Sequence, residues 1–323
     1  MKNVRYTGKR MKYVLAMGIL TVALCTGCGE REDKQLTYRE KGIHLMENGK
    51  YEDALVEFQN ALDLSLGEIE EEEIDICFYK AESLYRLGDV EGAMKTYTAI
   101  LDVKEDAKAY FLRGNLYYSL GNEEEACKDY DAAIECAPKE YELYIGVYEA
   151  LTAHGKDSEA QEYLKNALEM KGNSAYDKMQ KGRIQFLLGQ KDQAMALLEE
   201  AIKGKETEAY FYLAEIQENL GNAQAAEENM VAYVESGKVD SYNLFRVANV
   251  QLGKGNYTMA IQCLNQALAL ETVPNKQMIL KTLIIAHEQN CDFETAKKLM
   301  AEYVEAYPDD EEAMREYTFL ETR

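Results

Sequence analysis

The chain has 323 residues, more than one compact core usually holds, and its 36 basic and 58 acidic groups give a formal charge of −22. That charge would repel a phosphate backbone, so nucleic acid is not an expected partner. Three prolines, no tryptophan and 47% hydrophobic residues argue against wholesale disorder and for helix throughout.

The first residues read as a targeting segment. Lys2, Arg5, Lys9, Arg10 and Lys12 are followed by the apolar run Tyr13 to Leu24, then by Cys25, Thr26, Gly27 and Cys28. A basic start, a short apolar stretch and small residues form a secretory leader, too short to span about 30 Å of hydrocarbon comfortably. Gly27-Cys28 resembles the lipobox of bacterial lipoproteins, although Cys25 stands where that family usually has Leu. The resemblance implies cleavage after residue 27, a lipid on the sulfur of Cys28 and a membrane-anchored, extracytoplasmic protein. Loss of the leader takes five basic groups and no acid, moving the charge from −22 to −27. Residues 28–34 are then a lipidated Cys and a charged tether, about 25 Å at full extension.

From residue 35 onward one unit repeats. The alanines Ala54, Ala93, Ala126, Ala160, Ala194, Ala226, Ala260 and Ala296 are spaced by 39, 33, 34, 34, 32, 34 and 36 residues. Five residues before each stands a glycine, from Gly49 to Gly255, replaced by Cys291 in the last copy. Four residues after each is a large side chain: Phe58, Tyr97, Tyr130, Leu164, Leu198, Met230, Leu264 and Met300. Twelve before lie Gly42, Ala81, Gly114, Gly182, Ala214 and Ala248, with Tyr148 and Ile284 breaking the column. The glycine suits a left-handed helix end, and the small residues let two helix backbones approach closely. The large residue is expected to fill the gap between successive hairpins.

The pattern resembles the tetratricopeptide repeat, a 34-residue helix–turn–helix. The resemblance implies an all-α, right-handed solenoid of about eight repeats over residues 35–310, closed by a polar capping helix at 311–323. Four copies depart from it, with Lys41, Lys80, Arg113 and Lys181 where the family has Leu. Their stems are expected to run along the core edge. Repeats one and two are separated by extra residues around Gly67 to Glu73.

Little in the chain points to catalysis. His44, His154 and His287 fall in different repeats, and no HExxH, GxSxG or P-loop pattern occurs. Glu70 to Glu73 lacks the alternating ligands of a calcium loop and reads as a solvated helix start. No cofactor, metal or enzymatic activity is expected. Cys77, Cys127, Cys136, Cys263 and Cys291 read as small buried residues rather than a disulfide framework.

In the resembled family the first helix of each repeat lines a groove, with facing residues at its second, fifth, ninth and twelfth positions. The fifth positions here are Arg39, Phe78, Phe111, Ile145, Met179, Phe211, Phe245 and Lys281. With Tyr85, Tyr118 and Phe186 at the twelfth position and Asn115, Arg183 and Asn249 at the ninth, they would form an aromatic stripe flanked by polar groups. The alternative is that the stripe serves as inter-repeat packing alone. Asn115 and Asn249 could hold a peptide backbone through both amide ends. The expected function is a scaffold binding a protein or peptide of the cell envelope, neutral or basic given the net charge. Tetratricopeptide lipoproteins of this sort resemble components of outer-membrane assembly machines, pilotins and peptidoglycan-enzyme adaptors. The alternative is a receptor or accessory stacking a small molecule or glycan on the aromatic rings.

Overall fold

The computed structural model describes residues 31–65, 69–237, 239–270, 273, 276–308 and 310–320. The leader and Cys28 lie outside them. The described residues form seventeen helices and no strand. These are α1 (31–47), α2 (Tyr51–Leu62), α3 (Glu71–Arg86), α4 (Val90–Val103), α5 (Ala107–Ser119), α6 (Glu123–Cys136), α7 (Tyr141–Ala153), α8 (Asp157–Leu168) and α9 (Ala175–Leu187). They continue with α10 (Lys191–Lys203), α11 (Ala209–Asn219), α12 (Ala223–Glu235), α13 (Ser241–Gly253), α14 (Tyr257–Leu268), α15 (Lys276–Gln289), α16 (Phe293–Ala306) and α17 (Glu311–Leu320). Residues 31–34, read as tether, already belong to α1. The chain divides into two compact units at Ala150/Leu151, inside α7.

Unit 1 contains the hairpins α3/α4 and α5/α6, with α2 packed on α3 and α4 on α5. Unit 2 contains α9/α10, α11/α12, α13/α14 and α15/α16, with α10 on α11, α14 on α15 and α16 on α17. Every turn is built alike. The column glycines hold φ between +72° and +84°, and no neighbour lies within 4 Å of a Cβ at Gly49 or Gly88. These glycines are therefore required by the backbone angle, not by space. Gly88 N–H donates to the Tyr85 carbonyl at 2.9 Å and Asp89 N–H to the Leu84 carbonyl at 2.9 Å, closing α3. Asp89 then caps α4 by accepting from Gly92 N–H at 2.9 Å. Cys291 adopts the same left-handed angle, φ 60°, with a side chain the conformation disfavours.

In three hairpins a glycine of the first helix, Gly42, Gly114 or Gly182, meets the large residue sixteen positions later. A Cβ on Gly114 would lie 2.8 Å from the Tyr130 ring, and one on Gly182 would lie 2.8 Å from Leu198. The large column thus fills its own hairpin. It also reaches the next one at Phe58, whose ring stacks on Tyr79 with centroids 5.9 Å apart. The alanine column is buried at all eight positions.

The basic residues at the family's Leu position do more than lay their stems on the core. Arg113 grips Asp129 through two bonds of 2.8 Å, and Lys41 Nζ lies 2.7 Å from Glu57. Both carboxylates are buried, so each needs its cation. The Asp129 bond holds the Arg113 guanidinium above its ordinary pKa range. Lys181 instead donates to the carbonyls of Met170 and Gly172 at 2.7 and 3.3 Å. At the far end, Tyr303 of α16 is buried. Its hydroxyl donates to Asp310 at 2.7 Å, and Lys281 pairs with the same carboxylate at 2.7 Å. Asp310 caps α17, which buries Ala313 and Leu320 but leaves Met314 and Phe319 exposed, so its outer face is less polar than expected. Of the cysteines among the described residues, Cys263 alone is fully buried, and burial pushes its thiol up to about 12. Cys77 and Cys127 are half-buried, whereas Cys136 and Cys291 are exposed, against the sequence reading.

Two substitutions test this account by urea denaturation. Gly114→Val forces a branched side chain against Tyr130 and is expected to destabilise unit 1 by roughly 1–3 kcal/mol. Cys291→Gly relieves the left-handed strain and is expected to stabilise the α15/α16 hairpin by about 1 kcal/mol.

Candidate functional site

On α3, Phe78, Glu82 and Tyr85 follow the i, i+4, i+7 spacing that puts side chains on one helix face; on α5, Lys108, Leu112 and Asn115 do the same. These two faces border a cleft of about 400 Å³ in unit 1, with Tyr79, Arg86, Tyr97 and Leu116 completing its lining. That volume lies within the range of ligand pockets.

The floor is apolar. Phe78 packs on Tyr97 with centroids 6.1 Å apart, and burial pushes the Tyr97 phenol up to about 12, with Glu82 adding to the shift. Tyr97 is therefore a neutral wall at physiological pH. Tyr85 forms the rim and is 48% exposed. Lys108 Nζ sits 4.2 Å from the Phe78 ring centroid, a cation–π distance. Glu82 and Arg86 pair along α3 at 3.3 Å. The Tyr130 hydroxyl donates to Asn115 Oδ1 at 2.8 Å, leaving the amide N–H groups to face outward chemistry.

Of the residues singled out from the sequence, the structure brings Phe78, Tyr85 and Asn115 together. Phe111 and Tyr118 turn instead to Tyr130, at centroid distances of 5.9 and 6.5 Å, and Tyr118 is buried. In unit 2, Met179 and Phe211 are core residues; Phe211 packs on Tyr212 and Tyr233 at 5.5 and 5.6 Å. Phe186 and Phe245 are half-buried against the same core. Arg183 lies 5.3 Å over the Tyr212 ring and Arg246 4.7 Å over Phe211, so cations roof the aromatic rings there. Asn249 is exposed but its Nδ2 donates to the Phe245 carbonyl at 3.1 Å. Neither asparagine has both amide ends free, because each has one committed inside the fold. The aromatic stripe is mostly packing, drawn inward by the large column residues. Lys108 escaped the sequence reading although it occupies a second position of its repeat.

Unit 2 has a smaller cleft of about 230 Å³ between α12 and α14, lined by Glu227, Val231, Asn256 and Gln262 among others. No group of three or more His, Cys, Asp or Glu among the described residues could hold a metal ion. No helix among them is long and apolar enough to cross a membrane.

A tetratricopeptide-repeat family model matches residues 39–102 and 78–141, and a second matches 178–204 and 242–272. Both units therefore carry tetratricopeptide repeats. No curated protein matches the chain. Among solved structures, a tetratricopeptide repeat protein from Parabacteroides merdae is 16% identical, with 79% of this chain and 99% of that one covered at a TM-score of 0.43. The C-terminal part of a repeat protein from Cytophaga hutchinsonii is 15% identical over 76% and 99%, TM-score 0.38. PilW, a type IV pilus biogenesis factor, is 18% identical over 64% and 98%, TM-score 0.36.

Burial separates anchor from core. Phe211→Ala is expected to cost about 3–5 kcal/mol of stability. Tyr85→Ala, at an exposed rim, should leave the urea midpoint within about 0.5 kcal/mol of the parent chain. Parallel denaturation curves of the two variants check this.

Proposed function

We propose that this chain of tetratricopeptide hairpins is an adaptor that holds a segment of a protein partner in the cleft between α3 and α5. The observation that carries the reading is the cleft itself: an apolar floor completed by Tyr97 of α4, with an exposed tyrosine rim and uncommitted donors on the first helices of matched repeats. The lining has aromatic contact surface suited to a hot spot. In this reading the activity is binding.

The leader and Cys28 give the adaptor its address in this reading. Cleavage before Cys28 and acylation of its sulfur would hold the protein on the extracytoplasmic side of a bacterial membrane, in reach of envelope partners. Residue 31 is already helical, so at most a few residues of free chain would separate the anchor from α1.

Two measurements test the two halves. Cys28→Ser protein is expected to leave the membrane fraction or remain as unprocessed precursor; a mature-sized, membrane-bound product would refute the anchor. A photo-crosslinking residue at Tyr85 in the native membrane is expected to capture a protein. Recovery of a small molecule or glycan in the cleft, with no protein crosslink, would replace the adaptor by a ligand receptor.

A further inference from the structure

The polar groups of the α3/α5 cleft are unevenly matched. Lys108 is exposed and makes no ion pair among the described residues, in a chain with 58 acids. Lys104, one turn away, is by contrast paired with Glu71 at 2.6 Å. Seated on the Phe78 ring, the Lys108 ammonium is held at the cleft without its charge being neutralised. The one acid in the lining, Glu82, is countered by Arg86 on its own helix.

Asn115 has a fixed polarity for a separate reason. The Tyr130 ring is fully buried and its hydroxyl donates to Asn115 Oδ1 at 2.8 Å. Burial raises the Tyr130 pKa, so the phenol keeps the proton it donates. With Oδ1 accepting from Tyr130, the amide is oriented so that both Asn115 N–H donors are uncommitted. The Lys108 ammonium and these amide donors stand above the apolar floor as donors that the described contacts leave to a ligand.

We infer that the cleft selects a peptide segment carrying an aspartate or glutamate beside an aromatic or large aliphatic side chain, with the carboxylate on Lys108 and a backbone carbonyl on Asn115. Tyr130 is the positioning residue that sets the asparagine's polarity. The inference rests on the adaptor reading above and narrows its partner. Lys108 and Asn115 are two helical turns apart, about 10 Å along α5. That distance spans roughly three residues of extended peptide, so carboxylate and contacted carbonyl are about three residues apart. This preference is opposite to that expected from the net charge. At physiological ionic strength the screening length is about 8 Å, so the charges lining the cleft outweigh distant acids.

The test pans a displayed library of random nonapeptides on the full chain and synthesises the most enriched peptide. Enrichment of Asp or Glu near an aromatic or aliphatic residue is expected. Replacing that acid by its amide, or making Lys108→Gln, should each weaken binding about tenfold, and the two losses should not add. Lys108 is exposed, so this variant keeps its fold. Tyr130→Phe should weaken binding while retaining the preference for acid over amide, and added salt should weaken the parent complex. Enrichment of basic peptides, or tighter binding by Lys108→Gln, would overturn the inference and leave the adaptor reading standing. Peptides that bind the Tyr85→Ala variant as well as the parent, or no enrichment at all, would overturn both.

Discussion

The close approach of two helix backbones within a hairpin is the constraint on which the rest of this structure depends. In three repeats it sets a glycine on the first helix against a large residue sixteen positions later on the second: Gly42 with Phe58, Gly114 with Tyr130, Gly182 with Leu198. Close packing makes that fit intolerant of added volume. The seated ring then becomes a surface on which the first helix lays its own fifth-position aromatic. Phe78 meets Tyr97 and Phe111 meets Tyr130, with centroids 5.9–6.1 Å apart. In repeats two and three the large column residue therefore also draws the aromatic stripe off the surface, whereas Phe211 meets Tyr233, three residues past the column's Met230, at 5.6 Å.

That dependence explains which parts were legible in the sequence. Turns and helix contacts follow from properties of single residues: a glycine that tolerates positive φ, an alanine that adds no bulk. Columns of such residues carry their meaning unaided, and even Cys291 takes the angle its column demands. Partners are harder to read, because a long side chain chooses among several neighbours. The bonds of Lys41 to Glu57 and Arg113 to Asp129 use the same sixteen-residue interval as the packing columns, a signal present in the sequence but carried by only two copies. Lys181 breaks it by turning to backbone carbonyls. Burial within a column was equally hidden. Phe78, Phe111 and Phe211 share a register, yet Phe211 alone is fully buried, because Tyr212 and Tyr233 both reach it.

The same first-helix face is completed differently in the two units. In unit 2 the ninth-position acid Glu215 is half-buried; burial raises its carboxyl pKa, while Arg246 and Arg183 oppose the rise. Those two cations also cover the Phe211 and Tyr212 rings. Acid, cations and rings there answer one another. Unit 1 carries the same order at its ninth positions, Glu82 in one repeat and Asn115 in the next, as unit 2 carries Glu215 and Asn249. The difference lies in how the acid is answered: by Arg246 and Arg183 in unit 2, and by Arg86 on its own helix in unit 1. Lys108, over the Phe78 ring, makes no ion pair among the described residues. In the proposed reading its ammonium and the Asn115 amide are what repeats two and three offer to a partner.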